Sequence, residues 1–488
     1  ISLSNNDSGT YNTVFGKLAG AALANGGDGN LFIGENAGND VTTADYNIAI
    51  GYQAFSQATD DCDKNIVIGV SAMSGNIASN DVSECVAIGH EAMDGVLTST
   101  ATGTVGIGYQ SLSALTSGAG NTAVGYQSLD ALTDGNYNTA VGNGALTAFT
   151  GSSDTNNTAV GRFACAGLTF GVRNTSMGAV ALYQDTNGSD SVAIGSHSLF
   201  AQNKTDGVSP IIVGNTAVGS ASGYYNETGN NNTYVGYQAG TGTSGGNQSD
   251  NVGIGKGALA AVDENASSNT AVGSGAGASI TDGATNVVIG KAAGVTTTAL
   301  TTGGDCVIIG KDAHTSAGGA SNQIVIGKGG GGGVTDDNSV ALGNSSAVNV
   351  YCSDDKGAKL WCTNIDSSSD IRIKKNVEKV TIGLDFVNEL NPVTFNMRKA
   401  EDWDEDLKKE QTWYKKNTTP RDIDDEENKI GFIAQEVKAS LDKYGVDCDI
   451  YAMKDNDKVQ SLDYSRFVVP LVKAVQELSA KVKALEDA

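Results

Sequence analysis

Residues 121–129 read Asn-Thr-Ala-Val-Gly-Tyr-Gln-Ser-Leu, and residues 138–146 read Asn-Thr-Ala-Val-Gly-Asn-Gly-Ala-Leu. The five-residue core of this motif returns throughout the first 343 residues, in apolar versions such as Asn-Ile-Ala-Ile-Gly at 47–51. Its closing glycine recurs about every eighteen residues, at Gly16, Gly34, Gly51, Gly69, Gly89, Gly108, Gly125, Gly142, Gly161, Gly178, Gly195, Gly219, Gly236, Gly255, Gly273, Gly290, Gly310, Gly327 and Gly343. A fixed period near twenty residues predicts a solenoid with one repeat per coil.

The five-residue core is predicted to be a β-strand, because it is rich in β-branched residues and alternates with a period of two. Its second and fourth side chains, Thr, Val or Ile, are expected to fill the interior of the coil. The first, third and fifth, which are Asn, Ala and Gly, are then expected to face outward and to permit close packing between chains. The alternative is a monomeric solenoid whose small-residue face contacts solvent.

Composition separates the chain into two parts near residue 344. Sixty of the 64 glycines lie within the first 343 residues, whereas all three tryptophans follow them. Collagen is excluded, because glycine does not occupy every third position and the chain has only 4 prolines. The net charge of −24 is shared by both parts and disfavours binding to nucleic acid.

The cysteine spacing and the length of the apolar segments show which further kinds of site to expect. The seven cysteines form no Cys-x-x-Cys pair, so we expect no zinc site and mostly free thiols. Cys85 and Cys306 occupy equivalent positions in the repeat and are expected to be small packing residues. No run of about eighteen apolar residues occurs, so no membrane insertion by a helix is expected. No cofactor or metal is predicted.

The nineteen copies resemble the left-handed parallel β-roll of trimeric autotransporter adhesin heads (YadA-like) and similar repeats of phage tail fibres. The resemblance covers residues 1–343 and implies a homotrimeric shaft. The repeats of adhesin heads are shorter, so the geometry of the loops is expected to differ here.

Three landmarks characterise the rest of the chain. They are Ser-Asp-Ile-Arg-Ile-Lys-Lys-Asn-Val at 369–377, Gly-Phe-Ile-Ala-Gln-Glu-Val at 431–437, and Leu-Asp-Tyr at 462–464, which leads into a predicted helix. In that helix Val475, Leu478, Val482 and Leu485 are spaced as in a coiled-coil seam. Two heptads are too short to be stable alone, so the helix is expected to need the other chains of a trimer.

In this order the landmarks resemble the intramolecular chaperone auto-processing domain of phage tail fibres and endosialidases. The resemblance implies trimer assembly followed by self-cleavage, with Ser369 as nucleophile and Lys374 as its base. Serine needs a base to become nucleophilic, and burial can lower the pKa of a lysine enough for that role. Cleavage is expected at Ser368–Ser369, with Ser369–Asp370 as the alternative, and Glu436 is a supporting candidate. A helix-capping serine beside a solvated lysine is the structural alternative.

The sequence thus predicts a mainly β protein. A trimeric left-handed parallel β-roll or solenoid of about nineteen coils spans residues 1–343, and a transition spans 344–368. An α+β chaperone domain then spans 369–488 and ends in a coiled-coil helix at 464–486.

The predicted function is a homotrimeric phage tail-fibre shaft for host attachment, exposed on the virion outside the cell. Its expected partners are two further copies, a glycan or protein receptor on the host, and tail or baseplate proteins at the N-terminal side. The C-terminal domain is predicted to be a self-cleaving serine endopeptidase, whereas the shaft is not an enzyme. The alternatives are a bacterial trimeric surface adhesin and a glycan-degrading tailspike.

Overall fold

The computed structural model describes residues 9–23, 27–59, 61–77, 82–204, 210–331, 336–344, 346, 375, 377–396, 428–453 and 460–488. The chain divides into two compact units, residues 1–358 and 359–488. The first unit is a solenoid of short parallel strands, and the described part of the second combines helices with two small antiparallel pairs of strands.

The solenoid is built on one parallel sheet of nineteen strands, each three residues long. They are Thr13–Phe15 (β1), Leu31–Ile33 (β2), Ile48–Ile50 (β3), Ile66–Ile68 (β4), Val86–Ile88 (β5), Val105–Ile107 (β6), Thr122–Val124 (β7), Thr139–Val141 (β9), Thr158–Val160 (β11), Thr175–Met177 (β12), Val192–Ile194 (β14), Thr216–Val218 (β16), Thr233–Val235 (β17), Val252–Ile254 (β18), Thr270–Val272 (β19), Val287–Ile289 (β20), Val307–Ile309 (β21), Ile324–Ile326 (β22) and Val340–Leu342 (β23). The predicted strand in every repeat is confirmed.

Each strand pairs with the strand of the next coil so that equivalent residues stand opposite one another. Thr122, Ala123 and Val124 of β7, for example, pair with Thr139, Ala140 and Val141 of β9. Further two-residue strands form parallel pairs elsewhere on the coils, namely Gly135–Asn136 (β8) with Ser153–Asp154 (β10) and Gly188–Ser189 (β13) with Ile211–Ile212 (β15). A single 3₁₀ turn among the described solenoid residues spans Ser99–Ala101.

The prediction of which strand face is buried was wrong. Ala123, the middle residue of β7, is completely buried, whereas Thr122 and Val124 on either side are partly exposed. The interior is filled instead by apolar side chains from the turns, such as Leu129 and Leu132, which are also completely buried. A middle alanine leaves room for these leucines, and the buried side chains of successive coils form continuous apolar clusters along the solenoid.

The residue before each strand also points inward, so the prediction that asparagine at this position faces outward was wrong as well. The backbone N–H of Asn138 donates to Asn121 Oδ1 at 2.9 Å, and Asn138 Nδ2 donates to the same oxygen at 3.0 Å. Asn121 Nδ2 in turn donates to the carbonyl of Gly135 at 2.8 Å. This internal asparagine ladder consists of Asn30, Asn47, Asn65, Asn121, Asn138, Asn157, Asn174, Asn215, Asn232, Asn251, Asn269 and Asn286, all buried.

Cysteine replaces asparagine at two positions of the ladder and keeps part of its bonding. Cys85 Sγ lies 3.3 Å from the carbonyl oxygen of Ala101, and Cys306 Sγ lies 3.2 Å from that of Ala320. The equivalence of these two cysteines is confirmed, and each donates a weak S–H hydrogen bond besides packing. Among the described cysteines, Cys85, Cys165, Cys306 and Cys448 are free thiols, as expected.

The described residues of the second unit include three α-helices, Leu384–Glu389 (α1), Ala434–Lys443 (α2) and Val468–Glu486 (α3), and a 3₁₀ turn at Tyr464–Phe467. Val393–Phe395 (β24) pairs antiparallel with Lys429–Gly431 (β25), and Tyr451–Met453 (β26) pairs antiparallel with Gln460–Leu462 (β27). A small core joins these elements, made of Ile382, Phe386, Val437, Leu441, Ile450 and Phe467. The 3₁₀ turn and α3 together span the predicted C-terminal helix at 464–486.

Candidate functional site

The second and third sequence landmarks contact one another in the C-terminal unit. The backbone N–H of Phe432 donates to Tyr464 Oη at 2.8 Å. The Phe432 ring also stacks on Tyr464 and on Phe467, with ring centroids 6.0 and 5.2 Å apart. A Cβ on Gly431 would collide with the hydroxyl of Tyr464, so only glycine allows this close approach. The two landmarks therefore form one aromatic junction at the start of α2.

Glu436 lies in the first turn of α2 and is exposed. It lines an open depression of about 160 Å³ between the end of α1 and the start of α2. The other lining residues are Glu389, Leu390, Asn391, Phe432, Ile433, Val437 and Ser440. Two carboxylates, those of Glu436 and Glu389, line this depression.

Glu389 is held at the edge of this depression by residues near the end of α2. Lys443 Nζ lies 2.5 Å from Glu389 Oε1, and Tyr444 Oη donates to the same oxygen at 3.0 Å. The hydrogen bond from Lys443 is the main reason that the pKa of Glu389 lies below its ordinary value. This cluster could not be predicted from the sequence, because more than fifty residues separate Glu389 from its partners and no motif marks them.

The predicted nucleophile Ser369, the predicted base Lys374 and the cleavage-site residues Ser368 and Asp370 lie outside the described residues. Of the predicted site residues the structure thus places only Glu436. No group of His, Cys, Asp or Glu among the described residues is arranged to hold a metal ion. Within the same part of the chain, no helix is long and apolar enough to cross a membrane.

Helix α3 presents two different faces. On one, Pro470 and Ala474 are buried, and Glu477 Oε2 accepts a hydrogen bond of 2.7 Å from the backbone N–H of Leu384 at the start of α1. On the other lie the seam residues Val475, Leu478, Val482 and Leu485, which are between 45% and 78% exposed. Further valines and a leucine near its N terminus are exposed as well. The seam predicted from the sequence is therefore uncovered in the single chain.

Residues 369–446 match the family model of Peptidase_S74, the chaperone of endosialidase. The match begins at Ser369 and includes the aromatic junction residue Phe432 and the carboxylate of Glu436. No curated protein matches the chain. The family match and the parallel β-solenoid together fit a phage tail fibre or a tailspike-like protein that carries a C-terminal chaperone domain of the endosialidase type.

Proposed function

We propose that this chain is the shaft of a homotrimeric phage tail fibre that attaches the virion to its host. The C-terminal chaperone would align and trimerise the chains and then cleave itself off near Ser369. The observation that carries this proposal is the endosialidase chaperone match at 369–446, located after a nineteen-strand solenoid. Tail or baseplate proteins would hold the N-terminal side, and a glycan or protein on the host would be the receptor.

The repetitive sheet explains why such a shaft needs a chaperone. Strands of nearly identical sequence pair equivalently, as Thr158–Val160 does with both Thr139–Val141 and Thr175–Met177. Neighbouring chains could therefore assemble one coil out of step while still matching apolar residues. A folded clamp at one end fixes the alignment before the coils assemble, and the exposed apolar face of α3 supports association of three such clamps.

The proposed cleavage uses a serine and a lysine. Lys374, as an amine, accepts the proton of the Ser369 hydroxyl, and Oγ attacks the carbonyl carbon of Ser368. The C–N bond to Ser369 breaks, its nitrogen takes up the proton, and an ester joins Ser368 to Ser369 Oγ. Water then hydrolyses the ester, leaving a carboxylate on Ser368 and a new N-terminal Ser369. We assign to Glu436 the role of orienting either Lys374 or the water that hydrolyses the ester.

Denaturing electrophoresis with intact-mass measurement tests the cleavage. Wild type should release the fragment 369–488, whereas Ser369→Ala and Lys374→Ala should remain full length. Ser367→Ala and Lys375→Ala are matched controls, because each alters a neighbour of the same type, and both should cleave like wild type. Full-length wild type after prolonged incubation would contradict self-cleavage. Sedimentation of the same samples tests the trimer, which a monomeric mass would contradict.

A further inference from the structure

One column of side chains runs along the solenoid at the residue immediately after each closing glycine, and we call it the flanking column. Its members in adjacent coils touch one another. Tyr109 stacks between His90 and Tyr126, with ring centroids 5.5 and 5.2 Å apart. Lys17 Nζ lies 2.9 Å from Glu35 Oε1. A charged side chain in this column is therefore within reach of the corresponding side chain one coil away.

Near the C-terminal end of the solenoid the flanking column is basic. Five successive coils there carry Lys256, Ser274, Lys291, Lys311 and Lys328, all exposed. Lys291, Lys311 and Lys328 belong to adjacent coils, so the strand spacing separates neighbours by about 4.8 Å along the solenoid. The first 343 residues contain only nine basic residues, and four of them are collected here. We call these four the lysine column.

Several basic side chains elsewhere on the solenoid pair with an acid in the adjacent coil. The ion pair between the first two coils is one example. Lys64 Nζ lies 3.6 Å from Glu84 Oε1. Arg173 Nε lies 2.6 Å from Asp190 Oδ1, and both of these acids occupy the position equivalent to that of their basic partner. The solenoid thus compensates these basic charges from coil to coil.

The lysine column lacks this compensation. No acid occupies the flanking position in these five coils. Lys311 alone of the four contacts a carboxylate, that of its neighbour Asp312, at 3.2 Å. The three other lysines form no ion pair with a described residue. Like charges directly opposite one another are destabilising, and an anion bound beside them removes that cost.

The surface beside the lysine column is open. The residues that follow the five column positions are Gly257, Gly275, Ala292, Asp312 and Gly329. No atom lies within 4 Å of the position that a Cβ would take on Gly257, Gly275 or Gly329. Earlier coils carry larger side chains at this position, such as Gln110 and Gln127. Glycine permits close approach of a ligand to the backbone, so this strip admits a linear molecule beside the ammonium groups.

We propose that the lysine column binds an acidic polysaccharide of the host surface, with the chain of sugars running parallel to the solenoid. A linear polyuronate carries one carboxylate on every sugar, and its rise per sugar is close to the spacing of adjacent coils. Its carboxylates can pair with successive lysines while the sugar rings lie against the glycine strip. The proposal rests on the proposed function and specifies the class of receptor and the surface that binds it.

Two features favour a single polysaccharide chain over other polyanions. The first 343 residues contain 27 acidic residues, which repel a DNA duplex or an anionic membrane that approaches over a broad surface. One extended chain of sugars contacts only the lysine column and its glycine strip. In addition, if tail proteins hold the N-terminal side as proposed above, the coils from Lys256 to Lys328 lie toward the end that meets the host.

Titration calorimetry of oligogalacturonate with the purified full chain tests the proposal. The methyl ester of the same oligosaccharide is the neutral control. The acid should bind and the ester should not, and the affinity should fall as salt screens the exposed charges. Lys291→Gln and Lys328→Gln should each weaken binding by a factor of about 1.5–5, the contribution of one exposed ion pair. Glutamate at Lys291, Lys311 and Lys328 together should weaken it at least about tenfold.

A second triple variant controls for net charge. Lys17→Glu, Lys64→Glu and Arg173→Glu together make the same change in charge at exposed sites outside the lysine column. This variant should retain most of the affinity, and equal weakening by both triple variants would overturn the proposal. Tighter binding of single-stranded DNA, or of vesicles made of phosphatidylglycerol and phosphatidylcholine, than of oligogalacturonate would also overturn it.

Sedimentation of the same samples separates this proposal from the proposed function. Loss of binding in the triple lysine variant with the trimer intact supports the lysine column as the binding surface. Loss of the trimer in that variant would identify the column as a contact between copies and overturn the proposal. A trimeric wild type that does not bind oligogalacturonate would overturn it and leave the proposed function standing. A monomeric wild type that binds it would contradict the trimer alone.

Discussion

The backbone of Gly161 occupies the space into which a side chain on Gly142 would extend: a Cβ there would lie 2.5 Å from the carbonyl oxygen of Gly161. Gly142 also has a φ of +140°, a conformation that other residues rarely adopt. Gly142→Ala should therefore destabilise the shaft by at least 1–3 kcal/mol, about the cost of the backbone strain alone. Thermal unfolding of the purified protein measures this loss.

Gly257→Ala is the matched control for that substitution. Gly257 has a φ of +62°, but nothing lies within 4 Å of its Cβ position. Gln127 has a φ of +48° at the corresponding position of its own coil, two residues after the closing glycine. The control should cost about 1 kcal/mol, and an equal loss in both variants would show that contact between coils is not the reason for glycine.

The asparagine ladder should be intolerant of apolar substitution. Asn174 Oδ1 accepts a hydrogen bond of 3.0 Å from the backbone N–H of Ser191, and its Nδ2 donates to the carbonyl of Gly188 at 2.7 Å. Asn174→Ala leaves both backbone groups buried without these partners, at about 1–3 kcal/mol each. The midpoint of thermal unfolding should fall accordingly, whereas Thr175→Ala, which truncates a partly exposed side chain on the outward side of the next strand, should lower it much less.

The stability of the shaft should depend on the protonation of Asp185. Burial raises the pKa of this carboxyl from 3.8 to about 6, although Gln202 Nε2 and the backbone N–H of Gly188 donate to it at 2.6 and 2.9 Å. A raised pKa means that the folded state favours the neutral acid. Its contribution is fully present below about pH 4 and is lost as the pH rises through 6, with an amplitude of about 3 kcal/mol.

Unfolding rates measured from pH 4 to pH 7.5 test this dependence on Asp185. Asp185→Asn should flatten the profile, leaving the smaller contribution of Asp94, whose pKa burial also raises. Asp190 shifts in the opposite direction, because Arg173 holds its pKa below 3.8, so its effect falls below this pH range. An unchanged profile in Asp185→Asn would contradict the assignment.

Assembly should depend on the exposed seam of α3. Leu478→Asp replaces an apolar side chain that is 50% exposed in the single chain with a charge. If three helices associate through this seam, the change removes about 1.5–3 kcal/mol of apolar burial per copy. We expect trimer yield to fall sharply by size-exclusion chromatography. Ser479→Asp, one residue along and also exposed, should assemble like wild type.

Thiol reactivity should separate the interior of the solenoid from the C-terminal unit. Cys165 is completely buried, and desolvation raises the pKa of its thiol to about 12. Cys448 is only partly buried. A maleimide at pH 8 should therefore modify Cys448 in the native protein and Cys165 only after unfolding. Peptide mass mapping identifies the labelled residue, and rapid labelling of Cys165 would show that the coils open readily.

The period and the strands were predictable because nineteen copies repeat a β-branched core, but the orientation of the strands was not. Alternation places Thr122 and Val124 on one face of the strand and Ala123 on the other, without showing which face is buried. Side-chain size alone favours burial of Thr122 and Val124, which is the wrong choice here. Leu129 and Leu132 in the turns supply the interior instead, so the strand contributes only a small side chain to it. The ladder position carries Asn, Ser, Thr, Cys or Gln in the repeats. This restriction to side chains that can form hydrogen bonds could have indicated that the position is buried and hydrogen-bonded from one coil to the next.

The C-terminal site was predicted in a different way. Its motifs are local in sequence, so the segments that contain Phe432, Glu436 and Tyr464 could be recognised directly, and Glu436 was the candidate among them. The contact between Phe432 and Tyr464 joins positions 32 residues apart, and the ion pair of Glu389 with Lys443 joins positions 54 apart. Such contacts depend on how the helices pack, which residue spacing alone does not determine.

Each solenoid strand pairs only with the strands of the two adjacent coils. The number of coils, and with it the length of the shaft, can therefore change without altering the rest of the structure. After deletion or duplication of one whole repeat, every coil would still contact a neighbouring coil of the same kind, because no coil depends on a distant one. Each such event would change the reach of the shaft by about 4.8 Å, the spacing between adjacent strands. Unequal recombination between the repeats could thus lengthen or shorten the structure in uniform steps without redesigning either end.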